Sequence, residues 1–125
     1  MVQTDISQIP GECNAWREKL RNYREEFTQD ENRLRQVAGS PLSKEQLQDV
    51  EHLHNQFHIQ LINIHDLKQT IKSHDRQVNA ELTGRNTITE QSLTKHEELN
   101  TELQSLEHIL GDLRTEFNRF LQRTS

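Results

Sequence analysis

Residues 47–82 read LQDVEHLHNQFHIQLINIHDLKQTIKSHDRQVNAEL. Taken in sevens, the stretch carries a seam of Leu47, Val50, His54, Phe57, Leu61, Ile64, Lys68, Ile71, Asp75, Val78 and Leu82. The steps alternate three and four, the spacing with which one helix packs against others. Three seam positions are polar: His54, Lys68 and Asp75.

Upstream lies GSPLSKEQ, residues 39–46. Gly39 suits the left-handed conformation that ends a helix. Pro41 blocks continuation. Ser43 with Gln46 forms a capping box, and Leu42 with Leu47 sits where a hydrophobic staple belongs. Before this turn the seam Cys13, Trp16, Leu20, Tyr23, Phe27, Asp30, Leu34, Val37 predicts a helix over 10–38. Residues 1–9 form a lead-in with Val2, Ile6 and Ile9 as its apolar members. Downstream, TGRNT (83–87) offers Gly84 as a cap and Thr87 with Glu90 as a second capping box. A third helix over 87–122 follows, with the seam Ser92, His96, Leu99, Leu103, Leu106, Leu110, Leu113, Phe117 and Phe120.

These readings predict an all-α fold: one domain over 1–125, an elongated, antiparallel, left-handed three-helix bundle built on coiled-coil heptads, with helix 2 over 43–82. Short connections make neighbouring helices antiparallel. Only 30% of the 125 residues are hydrophobic, and mean hydropathy is -0.98. A thin bundle tolerates this, because each helix needs only a narrow apolar stripe.

Composition narrows the function. The net charge is -5 and aromatics are 5%, so neither a basic face nor a base-stacking platform is expected, and no nucleic-acid partner. No apolar run approaches a membrane span, and no basic-then-apolar leader is visible. The single cysteine fits a reducing compartment, so a cytoplasmic location is expected. Nucleotide-binding, hydrolase and His-Glu-x-x-His patterns are missing, so no catalytic residue and no cofactor is assigned.

Folding the first hairpin about Leu42 aligns Phe27 with Phe57, Asp30 with His54, and Trp16 with Lys68. In the second hairpin, Asp75 falls near His96, with the register open by half a heptad. These six residues, Asp30, His54, Asp75, His96, Trp16 and Lys68, are expected to form polar layers that fix register, as a buried Asn does in coiled coils. The bundle architecture with Trp16 in its first helix resembles the spectrin repeat. Residues 63–68, Asn-Ile-His-Asp-Leu-Lys, resemble the phosphoacceptor box of sensor histidine kinases. That resemblance implies His65 as phosphoacceptor and Asp66 as its neighbouring acid, with Thr70 standing where the family has Pro. Glu51-x-x-His54 matches half of a di-iron pattern, and His52, His54, His58 and His65 cluster on helix 2, but no complete ligand set is found, so no metal is assigned. Cys13 reads as a small seam hydrophobe.

The expected function is a non-enzymatic interaction or scaffold module, presenting helix faces to a protein partner or to a second copy. Leu53, Ile59, Ile62 and Leu67 widen the apolar face of helix 2 and are the candidate partner surface. The alternatives are histidine phosphotransfer or dimerisation through His65, and a metal-binding bundle.

Overall fold

The computed structural model describes residues 8–124. Three helices account for nearly all of them: α1 (Ile9–Ala38), α2 (Lys44–Arg85) and α3 (Glu90–Thr124). At about 1.5 Å per residue, their 30, 42 and 35 residues make an elongated bundle. α2 packs against both neighbours. α1 and α3 rarely bring their backbones close and meet largely through long side chains.

The start of α2 follows from its sequence. Ser43 Oγ accepts from the Gln46 backbone N–H at 3.2 Å, and Gln46 Oε1 accepts from the Ser43 N–H at 2.9 Å. The staple is less complete, since Leu47 is 49% exposed. The other ends differ from expectation. Gly39 ends α1 in a right-handed conformation, φ -78°, donating to Arg35 and Gln36 carbonyls. α2 passes through Gly84 and stops at Asn86, whose φ of 54° is the left-handed cap. Asn adopts that conformation because its short polar side chain tolerates it. The cap of α3 is Thr89 rather than Thr87: its hydroxyl accepts from the Ser92 N–H at 3.2 Å.

The core runs along the whole length. Every position of the expected α3 seam is buried, from Ser92 to Phe120. At mid-bundle Phe57 sits edge-on to Phe27 at 5.7 Å and to Phe117 at 5.1 Å, joining all three helices. The Arg114 guanidinium covers Phe27, 5.9 Å from its ring centre, and forks onto Asp30 at 2.9 and 3.3 Å. Tyr23 Oη donates to Glu107 Oε2 at 2.8 Å. Burial and that hydrogen bond push the phenol up to about 12.

The buried row of α2 differs from the expected seam. It comprises Leu53, Phe57, Gln60, Ile64, Leu67, Ile71, His74, Val78 and Glu81. Phe57, Ile64, Ile71 and Val78 belong to both readings. Leu61, Lys68, Asp75 and Leu82 lie on the flank, half-buried, and His54 is exposed. A helix with two neighbours buries an arc of roughly 100° or more, so two rows flank the shared one and both satisfy the heptad rule. Ile9, part of the expected lead-in, is the first residue of α1 and fully buried. Val2 and Ile6 lie outside the described residues.

Candidate functional site

The six residues expected to form polar layers are redistributed. Asp30 pairs with Arg114 on α3, not with His54. His54 points to solvent. Asp75 takes Arg17 at 3.3 Å instead of His96. Trp16 stacks on His96, ring centres 4.4 Å apart and 27° between planes, not on Lys68. Lys68 is half-buried and lines a surface depression with Arg17, Arg21 and Lys72. The reason is common to all: a hairpin alignment considers one neighbour, whereas each helix here faces two.

The candidate partner surface divides. Leu53 and Leu67 are buried, 1% and 9% exposed, and are core residues. Ile59 and Ile62, three apart on one helical face, are 45% and 47% exposed. His65 is exposed, as a phosphoacceptor must be, but His52, His54, His58 and His108 are exposed too. Exposure therefore does not distinguish His65.

The densest polar chemistry lies elsewhere, inside the bundle near the α2–α3 turn. Glu81 is the anchor of one group. Its carboxylate accepts from Ser92 Oγ at 2.6 Å, the Thr89 backbone N–H at 2.7 Å and Gln77 Nε2 at 2.8 Å. Ser92, then Thr89, then Gln77 favour the charged form and hold the carboxyl down at about 2, against an ordinary 4.5. This carboxylate therefore clamps the first turn of α3 to the last turns of α2. The sign of its pH effect follows. Above about 4.5 the stabilisation is fully present. Between about 4.5 and 2 the unfolded chain takes up a proton that folded Glu81 refuses, and stability falls. Glu81→Gln is expected to flatten this acid-side slope relative to the parent. Urea midpoints measured stepwise from neutral to acid pH check it; parallel slopes in the two proteins would contradict the assignment.

The second group lies deeper. His74 Nε2 and His96 Nδ1 are 3.0 Å apart and share one hydrogen bond. Both rings are buried, at 5% and 3% exposure. Burial, then the neighbouring His96, pushes His74 below its ordinary value, which favours the neutral ring. His96 Nε2 is buried and has no hydrogen-bond partner among the described residues. Glu12 Oε2 lies 3.6 Å from it, with the Glu12 side chain 39% exposed. Cys13, fully buried, completes the group, and burial followed by the Asp75 carboxylate pushes its thiol up to about 11. One donor atom each from Cys13, His74 and His96 falls within 4.8 Å of the other two. An open groove of about 700 Å³ between α2 and α3 reaches this group from outside, with His74, Glu81, Ser92 and Lys95 on its walls.

Sequence reasoning placed Cys13 and His96 on seams but left out His74, which falls one position from the chosen row. The signal was present: His74 lies on the row of Ile71 and Val78 in the alternative three-four phase. The histidines that drew attention on α2, His52, His54, His58 and His65, are all at the surface. The chain matches no family model, and searches of the curated proteins and of the solved structures find no match.

Proposed function

We propose that this chain is a non-enzymatic interaction module, a helical bundle that presents an α2 face to a protein partner, with a second copy as the first occupant to test. The observation that carries this reading is the exposure of Ile59 and Ile62. Two isoleucines one helical turn apart each leave nearly half their surface in water while the bundle core is closed around Phe57 and Ile64 beside them. Apolar surface left exposed on a helix face is what a helix-in-groove or helix-to-helix contact buries. The bundle supplies a support for this face, since α2 packs against both α1 and α3.

Light scattering after size exclusion tests this across a concentration series. The expected result is a mass that rises above the 14.8 kDa of one chain as concentration increases. The double variant Ile59→Lys with Ile62→Lys should stay monomeric, because two buried ammonium groups at a helix contact are strongly unfavourable. Both residues are exposed in the single chain, so the variant keeps its fold and its helical circular dichroism. A parent chain whose mass stays that of one chain at every concentration, unchanged by the substitutions, sinks the self-association reading.

A further inference from the structure

We propose that Cys13 Sγ, His74 Nε2 and His96 Nδ1 bind one Zn²⁺ ion inside the bundle, with the fourth position left to solvent, so that the ion ties α1, α2 and α3 together. Each helix contributes at least one ligand, and the donors converge where the apolar core is interrupted. Tetrahedral zinc with bonds of about 2.0–2.1 Å to nitrogen and 2.3 Å to sulfur places its ligand atoms roughly 3.3–3.6 Å apart. The three donors lie within 4.8 Å of one another, and the two imidazole nitrogens at 3.0 Å, so small rotations of the side chains suffice.

Three further observations support the site. His96 Nε2, across the ring from the zinc-binding Nδ1, is buried with no hydrogen-bond partner among the described residues, and it carries the ring proton when Nδ1 binds the ion. The Glu12 carboxylate faces that Nε2 at 3.6 Å, placed to accept its N–H as the outer partner that orients a zinc-bound imidazole. The groove beside His74 and Glu81 supplies a path from solvent. Charge balance also fits. On binding, Cys13 Sγ gives its proton to solvent and becomes a thiolate; the shared proton between the imidazoles relocates to the ring nitrogen that does not bind zinc. The Cys13 thiolate among the ligands and the Glu12 carboxylate behind His96 then offset the charge of the ion, which a buried site requires. The mixed sulfur and nitrogen donors select a borderline-soft ion of the zinc type over magnesium or calcium.

The test uses the full chain without an affinity tag, titrated with Co²⁺ as a spectroscopic stand-in and then with Zn²⁺. The expected result is one Co²⁺ per chain with a sulfur-to-cobalt charge-transfer band, bleached by an equivalent of Zn²⁺, and a thermal midpoint that rises with zinc. Because the chain has one cysteine, that band can come only from Cys13. Cys13→Ala, small and apolar like the thiol it replaces, should lose it. His96→Gln should weaken zinc binding by more than the roughly 10- to 100-fold that loss of an outer supporting group costs. His58→Gln, at the surface one turn from His54, should change nothing. Absence of the charge-transfer band in the folded parent overturns the proposal, whether or not the variants fold. So does a band that disappears in His58→Gln, or zinc affinity unchanged in His96→Gln. Trp16 adds an independent reading, because it stacks on His96: Co²⁺ bound there quenches its fluorescence, and unquenched emission at saturation counts against the site.

Discussion

Phe57→Ala is expected to lower stability by about 3–5 kcal/mol, the range for removing a buried aromatic ring. Phe57 is fully buried and bridges Phe27 on α1 to Phe117 on α3. Its loss opens a cavity at a level where phenylalanine rings from all three helices meet. Neighbouring helices cannot close in to fill it, because the layers above and below hold their spacing. Two edge-to-face pairs vanish as well, each worth about 0.5–1.5 kcal/mol beyond the area buried. A domain with a total of about 5–15 kcal/mol loses a large share of its margin. With an unfolding entropy of about 2.1 cal/mol/K per residue, the thermal midpoint should fall by roughly 12–20 °C. Calorimetry on the parent and the variant checks this. A shift of less than about 4 °C would mean that the ring is not at the centre of the packing.

Leu53→Ala and Ile59→Ala should differ sharply, although both replace a large aliphatic residue on α2. Leu53 is 1% exposed, and truncation there is expected to cost about 2–5 kcal/mol. Ile59 is 45% exposed, and its truncation should stay within about 0.5 kcal/mol in the isolated chain. Part of that small change is favourable, since Ala is the better helix former. Denaturant unfolding of the two variants reads the contrast directly. Similar losses at both positions would show that α2 is rotated from the orientation described. Self-association through Ile59 would add a concentration-dependent cost to Ile59→Ala alone, so the pair is best compared at low concentration.

The two hairpins explain what could be read from residues and what could not. The first turn carries its own chemistry in Ser43 and Gln46, and the capping box forms as those residues dictate. Its short length sets the α1–α2 register, so Phe27 meets Phe57 as the alignment requires. The second turn is less well marked. Asn86 takes the cap in place of Gly84, and α2 runs three residues further than expected. Across this hairpin the partner of His96 is the adjacent His74 rather than Asp75. One residue along a helix is a rotation of about 100°, enough to exchange an acid on the flank for an imidazole in the core.

By itself the sequence determined the number of helices, their heptad spacing, the polar turn that starts α2, and the whole buried face of α3. These follow from local periodicity and capping, which act within a few residues. Only the tertiary structure decided which of two heptad rows on α2 lies deepest. Both rows repeat every seven residues and share Phe57, Ile64, Ile71 and Val78, so periodicity is the same for each. The choice depends on where the third helix packs, and that is a non-local contact. It moved Leu53 and Leu67 into the core, turned His54 outward, gave Asp30 to Arg114, and brought Cys13, His74 and His96 from three separate helices to one point.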